Sequence, residues 1–558
     1  MSRNQNSMFS LLPSVNIKRS RFNRPQSIKF TGNTGVLIPF YVDEVLPGDT
    51  HQIKTNKVVR LQTPITPFMD QMYLDTYYFF VPNRLVWNNW KEFNGENSNS
   101  PWVSNITYEV PQLEIKTSVS GGVSPGSAAD YMGIPVGKHG ISVNALPFRA
   151  YALIWNEWFR DQNLQYPQQV DKSGVTQDLY TGTTVITGSS AGTALTRGAI
   201  GAVSKFHDYF TSALPYPQKG PDVTINMIAN PVQVEANGVL KVSGGSGTSA
   251  FTAGLGTTLG VSDPTNVKLE SVSPSGTSTG NAHLSYDSGL QVDLTGLSVA
   301  TISQLRTAFS IQKLYEADAR GGSRYTELLR QHFGVISPDA RLQRPEYLGG
   351  NRIPINVHQV VQSSETGSTP QGTTAAYSLT VDAHGEFIRS FTEHGFIIGV
   401  CCVRYDHTYQ QGIEKFWSRK TRFDYFWPVF AHLSEQAIKN KEVFAQGSDV
   451  VDSNGDPYDE QVFGYQEAWA DYRYKPSRIA GEMRSGLSNS LDFWHLADNY
   501  ASLPALSSGW IVEDKSNVDR VLQVTSAVSN QLLFDIYVEN NTTRPMPVHS
   551  IPGLVDHF

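Results

Sequence analysis

Cysteine is nearly missing from this sequence: of 558 residues only Cys401 and Cys402 are cysteines, and they are adjacent. Adjacent cysteines rarely bridge, and two cannot build a disulfide framework, so we expect both to be buried and reduced in an apolar strand. Long apolar runs are missing as well, because the most apolar one, residues 396–403, is far shorter than the ~20 residues of a membrane helix. The N-terminus has no apolar signal segment. These absences predict a soluble protein made in a reducing cytoplasm, with no membrane insertion.

Charged residues are also scarce, at 17% of the chain, and the formal net charge is −7. With 39% hydrophobic residues the chain has the composition of a folded protein, and a disordered polyelectrolyte is excluded. The low charge fraction indicates a surface that is not simply solvated, as in an assembly. A protein that binds free nucleic acid is usually basic overall, so such a role here requires a local basic patch.

Complete catalytic and metal-binding motifs are missing. The H-x-E pair at His384–Glu386 is not followed by the P-C-x-x-C of zinc deaminases. The G-x-S-x-G pattern occurs around Ser124, Ser190 and Ser278, but without the strand and helix that a nucleophile elbow needs. Residues 452–456 have the wrong spacing for a calcium loop and predict an Asn-Gly turn. We therefore expect no cofactor, no metal and no enzymatic activity.

The stretch Met72–Phe93, MYLDTYYFFVPNRLVWNNWKEF, is the one around which the chain is organised. Aromatic and β-branched residues in its first half point to both faces, with Tyr77 on one face and Tyr78 on the other. Residues 72–81 are therefore predicted to form a strand buried on two sides, which Pro82 ends. Further predicted strands are Val36–Val42, His51–Leu61, Ile353–Val361, Ala376–Val381, Gly385–Glu393, Phe396–Tyr405 and Gln531–Glu539. Strong strands near both ends predict one antiparallel sandwich whose first and last strands pair.

Helices and loops separate these strands. Helical spacing of apolar residues predicts helices over Leu85–Phe93, Leu146–Leu164, Thr301–Arg320 and Ser323–Phe333. In Lys241–Leu290 more than half of the residues are Gly, Ser or Thr. That composition is typical of a flexible linker or of a surface excursion of short strands, and the recurring small apolar residues favour an ordered protrusion.

Residues 1–30 are predicted to be a basic N-terminal arm without a helical or strand period. Its cations are Arg3, Lys18, Arg19, Arg21, Arg24 and Lys29, whereas the first acidic residue is Asp43. A basic arm of this kind commonly contacts nucleic acid. A solvated tail, or an arm that binds a neighbouring subunit, fits the same residues.

Two further segments interleave cations with aromatic rings, Trp417–Trp427 and Tyr472–Arg484. Their candidate nucleic-acid-binding cations are Arg419, Lys420, Arg422, Arg473, Lys475 and Arg478. Cations that hold phosphates next to rings that stack bases are typical of sites for single-stranded nucleic acid. An ordinary core, with its arginines paired to acids or to a neighbouring subunit, is the alternative.

Several long motifs together resemble the major capsid protein of gokushoviruses, small icosahedral single-stranded DNA bacteriophages of the Microviridae. They are Tyr77–Trp90 YYFFVPNRLVWNNW, Ala150–Gln165 AYALIWNEWFRDQNLQ, His207–Pro221 HDYFTSALPYPQKGP, Leu314–Phe333 LYEADARGGSRYTELLRQHF, Trp417–Trp427 WSRKTRFDYFW and Ala468–Arg478 AWADYRYKPSR. The motifs stand in the same order as in that family and extend over nearly the whole chain.

The resemblance implies a mainly β fold: an eight-stranded antiparallel jelly roll with long loop and helical insertions. It implies a single jelly-roll domain over residues 31–558, in which the insertion 222–299 forms a protrusion at each threefold axis and contacts a host receptor. Sixty copies would form a T=1 shell around a circular single-stranded DNA genome. A small basic DNA-binding protein and an internal scaffolding protein are the other implied partners. Assembly would take place in the cytoplasm of a bacterial host, and the protein would reside in the virion.

Charge arithmetic supports the need for additional cations. A genome of a few thousand nucleotides shared by sixty subunits places on the order of 50–100 phosphates on each, at one charge per nucleotide. The six cations of the arm cannot neutralise that charge, so we expect the shell to contact its genome at scattered points. Replacing Arg19, Arg21 and Arg24 by alanine should then reduce DNA retention only partly.

Two other functions fit a chain of this kind. A jelly roll also serves carbohydrate-binding and carbohydrate-cleaving proteins, although a glycosidase needs two carboxyl groups across a cleft and the sequence has no such distinctive pair. A sequence-independent DNA-binding protein acting outside a shell is the third hypothesis, and the acidic net charge argues against it.

Overall fold

The computed structural model describes residues 18–96, 108–115, 122–221, 223, 302–322, 324–365, 367 and 370–549. It also gives the backbone of seven short strands between residues 234 and 292. The chain forms two compact units, Met1–Pro217 together with Asp318–Phe558, and Gln218–Ala317. The predicted insertion 222–299 lies within the sequence range of the second unit.

Strands dominate the described residues. In the first unit they are β1 (Ser20–Asn23), β2 (Gln26–Gly32), β3 (Val36–Val45), β4 (Thr50–Leu61), β5 (Met72–Pro82), β6 (Gln112–Glu114), β7 (Ser142–Asn144), β8 (Gln177–Asp178) and β9 (Gly201–Ala202). The second unit contains β10 (Val234–Ala236), β11 (Leu240–Gly244), β12 (Gly247–Ala250), β13 (Glu270–Val272), β14 (Ser278–Asn281), β15 (His283–Tyr286) and β16 (Leu290–Val292). The remaining strands are β17 (Glu346–Pro354), β18 (Val357–Val361), β19 (Thr374–Ser378), β20 (Thr380–Ser390), β21 (Gly395–Tyr405), β22 (Glu435–Lys439), β23 (Val462–Glu467) and β24 (Leu532–Arg544).

Helices are short except for one. They are α1 (Asn83–Val86), α2 (Trp90–Phe93), α3 (Ala128–Tyr131), α4 (Leu146–Ile154), α5 (Ile302–Gly321), α6 (Tyr325–Phe333), α7 (Asp339–Leu342), α8 (Asn440–Val443) and α9 (Ser516–Val521). Among the described residues, no helix is both long and apolar enough to cross a membrane.

Two antiparallel sheets form the centre of the first unit. One has the order β1-β24-β4-β20, with β2 also paired to β24, and the other has the order β17-β5-β21-β3-β9. Taking β1 with β2 as one interrupted strand, eight long strands pair as nested couples: β2 with β24, β3 with β21, β4 with β20 and β5 with β17. Successive couples alternate between the two sheets. This nesting is the jelly-roll connection, so the predicted mainly β fold with helical and loop insertions is confirmed.

Strand β5 has the two buried faces that its sequence predicts. Tyr78 and Phe80 face the core between the two sheets, whereas Phe79 and Val81 face a second core that α4 covers. Each fully buried aromatic or branched side chain in these cores contributes about 1.5–3 kcal/mol of hydrophobic stabilisation. Only Asp75 is charged in this strand, and it is buried between the guanidinium groups of two arginines.

The predicted arm contains regular structure that the sequence interpretation missed. Residues 20–23 and 26–32 are strands, and both pair with β24, with Phe30 stacked on Phe534 at 4.6 Å. The sequence pattern that would predict these two strands is weak, because both are mostly exposed and their cations interrupt the alternation of apolar residues. The predicted pairing of the first and last strands is wrong for the strand that the sequence placed first: Val36–Val42 pairs with β21, whereas β24 pairs with the earlier strands β1 and β2.

Several predicted element boundaries are wrong. The predicted strand Ile353–Val361 is split into the end of β17 and all of β18, because the chain turns at Ile355–Asn356. The helix predicted over Leu146–Leu164 is α-helical only as far as Ile154, and it continues as one wider π turn, Trp155–Phe159. The backbone becomes extended at Arg160, and the side chain of Asp161 then accepts the backbone N–H groups of Asn163 and Leu164 in the turn that follows. The predicted strands Ala376–Val381 and Gly385–Glu393 are also divided differently, since β19 ends at Ser378 and β20 runs unbroken from Thr380 to Ser390.

The second unit is described mostly through its backbone. Its short strands form three antiparallel groups, β10-β16, β12-β11-β15 and β13-β14. The N-terminal part of α5 belongs to the same unit. The protrusion expected over residues 222–299 stays a prediction.

Candidate nucleic-acid interface

The chain that follows β21 builds an irregular surface from short turns. Single 3-10 turns form at Lys415–Ser418, Arg422–Asp424, Pro428–Phe430 and Ala470–Tyr472. Beneath them lies a small separate core to which Tyr209, Phe210, Tyr409, Ile438, Phe463 and Trp510 contribute. These buried rings anchor loops that have few backbone hydrogen bonds of their own, and so hold the side chains above them in place.

The two aromatic and basic segments of the sequence meet on this surface. Arg419 forms an ion pair with Asp471, and its guanidinium carbon lies 4.2 Å from the centre of the Tyr472 ring. Phe426 contacts Trp469 and Tyr472 at ring-centre distances of 5.7 and 6.3 Å. Residues 416–430 and 472–478 therefore form one continuous patch, called the aromatic surface below.

Large rings are exposed across the aromatic surface. Those that keep at least two fifths of their area in contact with solvent are Trp417, Phe423, Tyr425, Phe426, Trp427, Tyr472 and Tyr474. Trp417 and Phe423 are each 69% exposed. An exposed patch of this kind is typical of a contact surface, because a lone soluble protein rarely leaves so much apolar area in water.

The six predicted cations of this region fall into two groups. Four form ion pairs: Arg419 with Asp471, Arg473 with Glu467, and both Lys475 and Arg478 with Glu414. Lys420 and Arg422 are exposed and make no ion pair with any described residue. Arg422 lies over the Trp427 ring, 5.1 Å from its centre. These two cations are the ones whose charge is available for a phosphate.

A cavity of about 280 Å³ opens beside the aromatic surface. Phe416 and Tyr474 line it together with the half-buried Lys415 and the buried Glu442. Burial lowers the pKa of Lys415 and raises the pKa of Glu442. The hydroxyl of Tyr209 donates a hydrogen bond to Glu442 at 3.1 Å, so this carboxylate is held by the fold.

The predicted cations of the arm differ in the same way. Arg3 lies outside the described residues, whereas Lys18, Arg19 and Arg21 are exposed. Arg24 pairs with Asp43 at a hydrogen-bond distance of 3.0 Å, and Lys29 lies 3.2 Å from Asp535. Arg24 and Lys29 therefore each have an acidic partner in the fold, which the sequence did not predict.

A group of arginines that the sequence analysis did not single out lines a second cavity. Arg160, Arg324, Arg352 and Arg404 come from four separate parts of the chain. No local pattern could have grouped them, because strand pairing and the end of α4 bring them together.

Metal and thiol chemistry find no support in the described part of the chain. No group of three or more His, Cys, Asp or Glu side chains there could hold a metal ion. Cys401 and Cys402 are both buried and unbridged, as predicted, and burial raises the pKa of Cys402 to about 12. A thiol with so high a pKa is protonated at neutral pH and is a poor nucleophile.

Comparison with known proteins identifies close relatives over the full length. The family described as capsid protein (F protein) matches residues 10–554. The chain is 41% identical to the capsid protein VP1 of Bdellovibrio phage phiMH2K, over 100% of this chain and 99% of that protein. It is 39% identical to the capsid protein VP1 of Chlamydia phage 1 and 40% identical to that of Spiroplasma virus 4, in each case over 98% of this chain and 97% of the relative.

Proposed function

The chain belongs to the family of phage F capsid proteins, and from that premise we propose that sixty copies form a T=1 icosahedral shell around a circular single-stranded DNA genome. A capsid protein belongs in the virion, and assembly in the cytoplasm of the bacterial host is part of the proposal. The observation that carries it is the match to capsid proteins across the whole chain, together with a jelly roll whose surface keeps large apolar patches exposed.

Self-association is supported by exposed apolar side chains outside the aromatic surface. Val381 and Ile388 on β20 are 68% and 69% exposed, and Val361 and Tyr377 of the β18–β19 hairpin are about half exposed. Neighbouring copies in a shell would cover such positions, and burial would return about 25 cal/mol per Å² of apolar area.

Contact with the genome is supported by the aromatic surface and by the cations without acidic partners. Rings that stack bases and cations that bind phosphates suit a single strand, whose bases are accessible. Because the net charge is −7, these few cations leave most of the phosphate charge uncovered. The proposal therefore includes a small basic DNA-binding protein, and an internal scaffolding protein that acts during assembly.

Residues 222–299 are proposed to form the surface protrusion that contacts a host receptor. They fall within the unit Gln218–Ala317, which is compact in itself. A separate unit can vary without altering the jelly roll, and such variation is useful for recognising different hosts.

Sedimentation of lysate from producing cells tests the proposal. The lysate is treated with nuclease before fractionation, and each fraction is then assayed for this chain and for single-stranded DNA. We expect one fast peak that contains both. A chain that stays small and soluble with all viral partners present would refute the shell, and sugar binding and hydrolysis would then be assayed for the carbohydrate alternative.

A further inference from the structure

The cavity lined by arginines, called the arginine cavity below, has a volume of about 350 Å³. It lies on the face of β5 that carries Tyr77 and Phe79, beside the end of α4. Its cationic lining residues are Arg160, Lys205, Arg324, Arg352 and Arg404. Asp161 is the carboxylate among the residues that line it. Ligand cavities in proteins measure about 300–1,000 Å³, so a small ligand fits.

Two of the arginines share one carboxylate. Arg352 binds both oxygens of Asp75, at 2.6 and 3.0 Å, and Arg404 binds the same carboxylate from its other side. Asp75 is almost completely buried. Its single negative charge can offset only one of the two positive guanidinium charges. Lys205 is paired separately with Asp498 at 3.5 Å. This half of the arginine cavity keeps an excess of positive charge.

The other two arginines are held mainly by backbone carbonyls. Arg160 donates to the carbonyl of Gln165 at 2.8 Å, and Arg324 donates to the carbonyls of Asn156 and Arg160 at 2.9 and 2.8 Å. Among the described residues, the carboxylate that pairs with Arg324 is Glu327, at 3.5 Å. Carbonyls orient a guanidinium group but carry no net charge to neutralise it.

The electrostatics of Arg160 agree with that excess. Burial lowers its pKa and the positive charge of Arg324 lowers it further, and together they outweigh the opposing effect of the carboxylates of Glu157, Asp161 and Glu327. The Nε atoms of Arg160, Arg324 and Arg404 are all buried without a hydrogen-bond acceptor among the described residues. Buried donors are normally paired, and a charged donor is the most costly to leave unpaired.

We infer that the arginine cavity binds the phosphate group of a nucleotide. Planar guanidinium groups match the oxygens of a phosphate with two parallel hydrogen bonds each. The base would stack on Tyr347, which is 43% exposed at the cavity and packs against Trp158 at a ring-centre distance of 5.9 Å. The inference deepens the proposed function and rests on it for one source of ligand, because a nucleotide within a DNA strand offers the same chemistry as a free one.

Titration calorimetry of the full chain tests this site with defined probes. Deoxythymidine monophosphate represents the free nucleotide and an oligothymidylate represents the strand, with inorganic phosphate and acetate as comparison anions. We expect the nucleotide to bind more tightly than phosphate, and phosphate more tightly than acetate. Tighter binding of the oligothymidylate than of the mononucleotide would identify a strand as the source, and the reverse order a free nucleotide.

His207 provides a variant with little risk to the fold, because its side chain is exposed at the arginine cavity. His207→Glu places a negative charge there and should weaken nucleotide binding about tenfold or more, whereas the matched His207→Gln should not. Tyr347→Leu should weaken binding of the nucleotide but not of inorganic phosphate. A nucleotide that binds no more tightly than acetate, or a His207→Glu variant that binds it normally, would overturn the inference.

Sedimentation of the same variants separates the two proposals. If particles with nuclease-resistant DNA form but the wild-type chain binds no nucleotide, only the arginine cavity assignment fails. If nucleotide binding is present and sensitive to His207→Glu while no particles form, the assignment of the cavity stands and the shell fails.

Discussion

Arg21 and Arg24 lie three residues apart in the predicted basic arm but have different surroundings. Arg21 is exposed on β1, whereas Arg24 binds Asp43, which also accepts hydrogen bonds from Tyr41 and Asn540. Asp43 is mostly buried, so loss of its cation leaves a carboxylate charge only partly compensated. Arg24 therefore stabilises the fold.

Arg24→Ala should lower the free energy of unfolding by about 1–2 kcal/mol, and Arg21→Ala should change it by less than about 0.5 kcal/mol. Urea unfolding of the full chain measures both. A test of DNA retention by the arm should accordingly replace Arg19 and Arg21 and leave Arg24 in place. Equal effects of the two single variants on unfolding would contradict a structural role for Arg24.

His407 is completely buried between two carboxylates. Its Nδ1 lies 3.0 Å from Asp498 and its Nε2 lies 3.0 Å from Glu513. Burial by itself would lower the pKa of His407, but Glu513 and Asp498 outweigh that effect and raise the pKa to about 9. The imidazolium is therefore the stable form in the folded chain at neutral pH.

The free energy of unfolding should fall as the pH rises from about 6.5 to about 9. The pKa of His407 is higher in the folded than in the unfolded chain, so its contribution is complete below about pH 6.5 and is lost towards about pH 9. The full effect is on the order of 3 kcal/mol. Urea unfolding between pH 6 and pH 9.5 should show this decline, and His407→Gln should flatten it. A wild-type stability independent of pH over that range would rule out the assignment.

Lys420 and Arg422 are the cations of the aromatic surface without an ion pair among the described residues. Replacing both by alanine should weaken binding of an oligothymidylate severalfold and reduce its salt dependence, because two phosphate contacts are lost. Arg473→Ala is the matched control, since Arg473 is neutralised by Glu467. Fluorescence anisotropy at two salt concentrations measures the effect, and equal affinities of the two variants would argue against this surface.

At the scale of elements, β5 shows why an apolar strand can be placed from its sequence. Its alternation leaves Tyr78 in one core and Phe79 in the other, and both side chains are buried. A run in which both alternating faces are apolar has no stable place except between two layers.

Phe79→Ala should destabilise the chain by about 3–5 kcal/mol, because it leaves a cavity beside Trp158 and Phe159. Phe423→Ala changes the same residue type at a position that is 69% exposed, and should alter unfolding by less than about 0.5 kcal/mol. Thermal or urea unfolding distinguishes the two. A small loss for Phe79→Ala would mean that the second core can collapse around the gap.

Elements with mixed polarity were harder to predict. The strands β1 and β2 were missed because their partners lie about 500 residues away in β24, and local alternation is weak in an exposed edge strand. The helix after Leu146 was extended too far, because the chain becomes extended at Arg160 and Asp161 then holds a separate turn. Both errors come from contacts that short sequence windows do not contain.

For the whole molecule, the two units predict a separation of roles. Residues 222–299 fall within the unit Gln218–Ala317, which is compact by itself. Replacing residues 222–299 by a short Gly/Ser linker should therefore leave the jelly roll folded, while attachment to host cells is lost. Circular dichroism and an adsorption assay with purified particles measure the two outcomes, and the loss of folded protein would contradict the separation.

The resemblance to gokushovirus capsid proteins, drawn from six motifs, is confirmed by the full-length matches. The site was less predictable than the family. Motifs such as WSRKTRFDYFW locate aromatic rings and cations, but they do not reveal that Arg419 is paired with Asp471 while Arg422 is not. The domain boundaries and the DNA contacts of the arm stay predictions.

The sequence by itself determined the mainly β class, the buried strand β5 and the family, because alternation of apolar residues and long motifs are local properties. Tertiary structure decided which cations are neutralised, since the acidic partners Asp43, Glu414 and Asp471 are 19 to 64 residues away along the chain. It alone assembled the arginine cavity from residues 160 to 404. Charge balance depends on distances through space, and only the folded chain sets them.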